Sequence, residues 1–246
     1  MIWPGLAAYR FWWPDAAVIT AYPDAGAPIR TVWDTYRRSV LPMAMQAAGW
    51  EALHASAVLA AGGVVAFCAP SETGKSTLAY GLARRGFPQW ADDGVVFGSG
   101  REIQAIPLPF EVRLRPGARD LLGGVLPEHS RFEHNGPGEQ SHVEPAALRA
   151  ICVLRRDMDP ERVAAARITP IAPASAFTSA LTHAHEFDRT DDTRRAQMVH
   201  TYLRLVAEVP VVEIAFHPGR EPLDALLDRV IDALALETPR GSPVGV

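Results

Sequence analysis

Lysine is almost absent from this chain. Of 24 Lys and Arg residues only Lys75 is lysine, which leaves 24 − 1 = 23 arginines to serve wherever a surface needs positive charge. Asparagine also occurs once, at Asn135, and cysteine at 2 positions. The formal net charge is -4 and no block of basic residues appears, which argues against a nucleic-acid partner, because that surface needs a basic face or stripe. Cys68 and Cys152 each sit inside an apolar run, VVAFC and AICVL, where a cysteine behaves as a small buried hydrophobe. Two such thiols suit a reducing cytoplasm better than a disulfide. The opening MIWPGLAAYRFWWPD has no cationic segment followed by an apolar one, so it does not read as a signal peptide. The longest uncharged run, residues 55–70, is too short to cross a membrane and is cut by Gly62-Gly63. The expectation is a soluble, cytoplasmic protein with neither a membrane nor a nucleic-acid partner.

What is present suits one globular domain. The chain has 246 residues, 48% hydrophobic and 21% charged, enough to bury a core without staples. No internal repeat or linker divides it, so residues 1–237 read as a single domain, with 1–50 as N-terminal strands and a helix packing on it and 238–246 as a disordered tail. Pro4, Pro14, Pro23 and Pro28 suit short strands and turns at the start. A helix is expected over 31–48, kinked or divided at Pro42. Strands follow over 53–60 and 63–68, joined by a turn at AAGG. A helix should run from Lys75 through Arg85 with Gly86 closing it, and a further strand should end near Ala91. Trp12 and Trp13 put at least one ring inside if RFWWPD is a strand. RFEHNGPGEQSH, residues 131–142, reads as a long excursion, ICVLRR and VPVVEIAFH as strands, and ASAFTSALTHA, 193–208 and 221–236 as helices.

The sole lysine lies in APSETGKST. Residues 69–76 fit the phosphate-loop template G-x-x-x-x-G-K-[ST], with Ala69 in the first place. A β-branched strand, VVAF, precedes the loop and a helix-forming segment, STLAYGLARR, follows it, which is the order the chemistry requires. Ala69, Pro70, Ser71, Glu72, Thr73, Gly74, Lys75, Ser76 and Thr77 are therefore candidate nucleotide ligands. Loop amides and the positive end of the helix dipole converge on phosphate oxygens. Lys75 supplies a compact ammonium that arginine's planar fork does not replace, and Ser76 a hydroxyl for Mg²⁺. Glu72 is expected to point out of the cradle toward the acceptor side, because a carboxylate turned inward would repel phosphate. Guanine-reading Asn-Lys-x-Asp is missing, as is the LSGGQ-type signature of a transport ATPase.

Residues 53–97, LHASAVLAAGGVVAFCAPSETGKSTLAYGLARRGFPQWADDGVVF, resemble the core of the HPr kinase family: a strand opening with histidine, the loop, and an Ala-Asp-Asp segment after the loop helix. The chain is similar to its short forms, among which are kinases of lasso-peptide precursors. The resemblance implies a phosphoenolpyruvate-carboxykinase-like α/β fold, a mixed β-sheet with flanking helices. It implies transfer of the γ-phosphoryl group of ATP, with Mg²⁺, to a hydroxyl, a serine of a peptide or small protein. On this basis Asp92 is the base and Asp93 the Mg²⁺-side carboxylate, with the exchange of roles left open. His54 either pairs with Asp92 or is a satisfied histidine where a strand enters the core. Glu111 and Arg113 fall at the family's Glu-x-Arg, for metal and phosphate, or else form the alternating face of an edge strand. HAHEFDRTDDTRR, residues 183–195, either lines a substrate entrance or is a solvated helix-loop-helix corner. A small-molecule hydroxyl kinase and a non-catalytic ATP-sensing module remain alternatives, and a homo-oligomer is compatible with all three.

Overall fold

Short strands punctuated by proline and glycine open the chain, as their spacing suggests: β1 (Ile2–Trp3), β2 (Ala7–Phe11) and β3 (Ile19–Pro23) form an antiparallel three-stranded sheet. The computed structural model describes residues 1–11, 18–110, 144–159, 165–185 and 191–239. Trp12, Trp13, Glu111, Arg113, the 131–142 stretch, residues 186–190 and the tail from 240 lie outside them.

The helix expected over 31–48 forms as α1 (Ile29–Thr35), one wide turn (Tyr36–Val40) and α2 (Leu41–Ala47). Pro42 has no N–H for the Arg38 carbonyl and its ring would crowd that turn. The ladder accommodates it by switching to five-residue spacing, with the Leu41 N–H bonded to the Tyr36 carbonyl. A small cluster of Ala7, Tyr9, Val32 and Val40 joins this helix to the three-stranded sheet, and the Tyr9 hydroxyl donates to the Val32 carbonyl at 2.6 Å.

The remaining strands form one mixed sheet. They are β4 (Glu51–Leu53), β5 (Ala55–Ala60), β6 (Gly63–Cys68), β7 (Gln89–Ala91), β8 (Val95–Ser99), β9 (Ile103–Ile106), β10 (Ala146–Arg156), β11 (Arg167–Pro170) and β12 (Val211–Phe216). Among the described residues this sheet has nine strands in the order β4-β8-β9-β10-β6-β5-β7, with β12 pairing β10 and β11. The strand expected over 53–60 is interrupted at His54, whose N–H bonds to the His183 carbonyl at 2.7 Å. β5 and β6 form a hairpin with Ala60 opposite Gly63, and β10 lies parallel to both β6 and β12.

Helices cover both faces: α3 (Lys75–Ala83), α4 (Pro173–Thr182), α5 (Asp192–Glu208) and α6 (Leu223–Ala233). Successive side chains along a strand face opposite ways. Val64, Ala66 and Cys68 accordingly pack with Ala176, Ala180, Tyr202 and Leu205 of α4 and α5. Val65 and Phe67 pack with Leu78, Leu82, Leu227 and Val230 of α3 and α6. A strand covered on both faces must be apolar at every position, which is why GVVAFC is unbroken. Each large side chain so buried contributes about 1.5–3 kcal/mol. Cys68 and Cys152 are free and lie in different face clusters, so neighbouring strands bring them near in sequence register but aim them apart.

Candidate functional site

The site lies where β6 runs out. Its buried apolar run ends at Cys68, residues 69–74 turn, and α3 begins at Lys75. Glu72 and Gly74 adopt left-handed backbone, φ 69° and 116°, which folds the loop over the start of the helix. The first turn of any helix leaves amide donors without intrahelical partners, and here that turn directly follows the loop. Glu72, Pro70 and Ser71 are exposed, Ala69 and Thr73 are buried, and Thr77 is half-buried in the first turn of α3.

Lys75 is 7% exposed and its ammonium is turned back onto the loop, donating to the carbonyls of Ala69 at 2.8 Å and Pro70 at 3.3 Å. Burial holds its pKa below the ordinary lysine value, opposed chiefly by the carboxylate of Asp93 and also by that of Asp92. A buried ammonium whose hydrogen bonds among the described residues go to neutral carbonyls is ready to exchange them for an anion.

Asp92 follows the last residue of β7 and is 8% exposed. Its Oδ1 accepts from Ser76 at 2.7 Å and from Ser56 at 2.6 Å, and the two hydroxyl oxygens are 3.4 Å apart. β5 places Ser56 opposite Phe67, beside the strand that feeds the loop. Ser56 is one residue that sequence reasoning missed. Its signal is weak: a hydroxyl at even spacing from His54, buried in ASAVLA.

Asp93 is turned elsewhere. It adopts φ 68°, and its carboxylate is paired with Arg38 from the wide turn before Pro42. The Asp93 carbonyl lies 3.1 Å from His54 Nδ1, so His54 meets the backbone of Asp93 rather than the Asp92 carboxylate. His54 is also edge-on to His185, with ring centroids 5.8 Å apart. All three histidines of this corner titrate below the ordinary value of 6.5. Burial is the main cause in each, reinforced by Lys75 for His54 and His183 and by the neighbouring His54 for His183 and His185.

His183 and His185 come from the charged 183–195 segment, and the solvated-corner reading fails for part of it. Ala184 bridges Leu53, the His185 N–H donates to the Ala52 carbonyl at 2.8 Å, and the Gln46 side chain holds the His185 carbonyl. Arg194 is buried in an ion pair with Glu51 and donates to the Trp50 carbonyl at 3.0 Å. Asp191 caps α5 by accepting from the amides of Thr193 and Arg194, while Asp191, Asp192 and Arg195 remain exposed as a solvated corner would have them. Of its described residues, 183–185 pack beside His54 while Asp191, Asp192 and Arg195 meet water.

No family model matches the chain. No curated protein matches it either. Among solved structures the chain is similar to the Hpr(Ser) kinase/phosphatase from Coxiella burnetii, at 15% identity, covering 74% of this chain and 89% of that one, with a TM-score of 0.39. Among the described residues no helix is long and apolar enough to cross a membrane.

The site's oxygens, the Asp92 carboxylate and the two hydroxyls that donate to it, are hard ligands of the type Mg²⁺ takes. Beside them stand an ammonium and a helix start, which together suit a polyphosphate.

Proposed function

We propose that the chain is an ATP- and Mg²⁺-dependent kinase that moves a γ-phosphoryl group onto a hydroxyl, with a serine of a peptide or small protein as acceptor. The observation that carries this reading is the Ser76–Asp92–Ser56 oxygen cluster beside Lys75 at the start of α3. The acceptor class rests on the resemblance of residues 53–97 to the HPr kinase core.

The geometry favours the exchanged assignment of the two aspartates. Asp92, bonded to the Ser76 hydroxyl, belongs on the metal side with Ser76 and Ser56. Mg²⁺ there would neutralise charge on the phosphate oxygens. Asp93 is the proton acceptor: its carboxylate is the more exposed of the two, at 24%, and Arg38 orients it. His54 is a positioning residue, fixing the Asp93 backbone through its carbonyl. In the transfer, the acceptor oxygen bonds to the γ-phosphorus while the bond from that phosphorus to the β–γ bridging oxygen breaks. ADP leaves with the electron pair, and the hydroxyl proton passes to Asp93. Lys75 leaves the Ala69 and Pro70 carbonyls for the phosphates.

The test is transfer from γ-labelled ATP, with Mg²⁺, to a mixed pool of serine-bearing peptides and cell metabolites. Wild type should label a peptide, and Lys75→Ala should not. Label on a metabolite would move the acceptor to small molecules. Tight MgATP binding with no transfer to anything would make the chain a nucleotide-sensing module instead.

A further inference from the structure

The strand beside β6 brings a second cation to the same loop. β10 runs parallel to β6 with Val153 opposite Cys68, so residues 154–156 accompany the chain as it leaves β6 for the loop. The last of them is Arg156, whose Nε donates to the Thr73 carbonyl at 3.2 Å. Its neighbour Arg155 is occupied differently, paired with Glu213 at 2.9 Å and Asp157 at 3.2 Å. Consecutive strand residues face opposite ways, which separates the two.

Arg156 is exposed, and its terminal nitrogens make no hydrogen bond among the described residues. One of five donors is thus spent on anchoring the guanidinium to the loop, and four remain in a fixed planar fork. Lys75 and Arg156 hold the loop from two sides, one buried and bonded to the carbonyls that begin it, the other exposed and bonded to the carbonyl before Gly74. A buried ammonium serves phosphate enclosed by the loop. An exposed fork can serve only the part of the ligand that projects from it, and a guanidinium matches two phosphate oxygens at once.

We propose that Arg156 is a second phosphate-binding residue, contacting the terminal phosphate of the nucleotide from the β10 side. This rests on the nucleotide reading above. It makes residue 156 a determinant of triphosphate over diphosphate, since ADP lacks the group that Arg156 meets.

The test is calorimetric titration of MgATP and MgADP into wild type, Arg156→Ala, Arg156→Lys, Arg155→Ala and Lys75→Ala, with thermal unfolding of each ligand-free protein as the folding control. Arg156→Ala should weaken MgATP about tenfold or more, the weight of a charged hydrogen bond, while MgADP changes much less. Arg156→Lys should recover only part of the loss, because a point charge does not reproduce the fork. Arg155→Ala should bind both as wild type does. Unchanged MgATP affinity in Arg156→Ala, or equal losses for both nucleotides, overturns the assignment while Lys75→Ala still reports on the nucleotide reading. Wild type that binds neither nucleotide removes that reading, and this assignment with it.

Discussion

Ser76 and Asp92 meet at a single oxygen: the Ser76 hydroxyl donates to Asp92 Oδ1 at 2.7 Å, and the Ser56 hydroxyl reaches the same atom at 2.6 Å. Two donors converging on one carboxylate oxygen fix its direction, and a fixed oxygen cluster suits a metal better than a proton relay. The two aspartates should therefore fail in different ways. Asp93→Asn should cost about 100-fold or more in turnover with MgATP affinity nearly intact, as expected for loss of a general base. Asp92→Asn should instead raise the Mg²⁺ concentration needed for half-maximal rate. Turnover measured against Mg²⁺ in both variants decides it, and the reverse pattern would restore Asp92 as the base.

A second expectation concerns the buried ion pair that ties α5 to β4. Glu51 and Arg194 form an ion pair that is 1% and 7% exposed at the side chains, with burial pushing the Glu51 carboxyl up and Arg194 pulling it down. Removing one partner leaves a buried charge uncompensated, at about 3–5 kcal/mol. Arg194→Met should lower the free energy of denaturant unfolding by that order, whereas Glu51→Gln with Arg194→Met together should cost less than the sum. Additive losses would show that the two side chains do not act as a pair.

Much of this site is legible in the sequence because it is local. Strand, loop and helix lie in one run of residues, so APSETGKST carries its own context, and Asp92-Asp93 follows at the end of the next strand. Arg38 is not legible, and His183 and His185 are legible only as members of a charged segment with two open readings, because only tertiary contact makes them neighbours of Asp93 and His54. Arg38 reaches Asp93 across 55 positions, and Gln46 reaches His185 across 139. Ser56 hides for another reason: a buried serine within alanines and valines looks like filler until Asp92 is placed beside it. Pro42 is legible as a disturbance, yet the form of that disturbance, a wide turn that carries Arg38 and packs Val40 with Val32 and Tyr9, is not.

Acid should loosen the histidine corner. His54, His183 and His185 titrate below the ordinary 6.5 in the folded protein. The unfolded chain therefore binds more protons than the folded one in the window beneath that value. Stability is then fully present above about pH 6.5 and falls as the pH drops through the folded values. Midpoints of denaturant unfolding between pH 8 and pH 5 should show that slope, and His183→Asn should flatten it. A profile flat over this range, or one that rises on acidification, would contradict the burial argument.

Neither thiol should react in the folded state. Cys68 and Cys152 are 0% exposed, and burial pushes the Cys68 thiol up to about 12 and Cys152 higher still. The nucleophile is the thiolate, which such values nearly abolish at neutral pH. Mass spectrometry after iodoacetamide treatment should find no adduct under native conditions and two in denaturant. An adduct on the native protein would mean that the sheet opens on the timescale of labelling.

The β5–β6 turn gives the sharpest structural test, because its two glycines share a backbone demand but differ in surroundings. Gly62 and Gly63 have φ of 86° and 135°, a region L side chains rarely adopt. A Cβ on Gly62 would meet nothing within 4 Å, whereas one on Gly63 would lie 2.2 Å from the Ala147 carbonyl oxygen on β10. Gly62→Ala should therefore cost only backbone strain, about 1–2 kcal/mol. Gly63→Ala adds a backbone clash that must push β6 and β10 apart, and overpacking of that kind brings roughly a further 1–3 kcal/mol. The two strands end at the loop and at Arg156, so Gly63→Ala should also weaken MgATP binding when measured well below its unfolding midpoint, and Gly62→Ala should not. Equal losses of stability in the two variants would show that β10 can give way at Ala147 without disturbing β6.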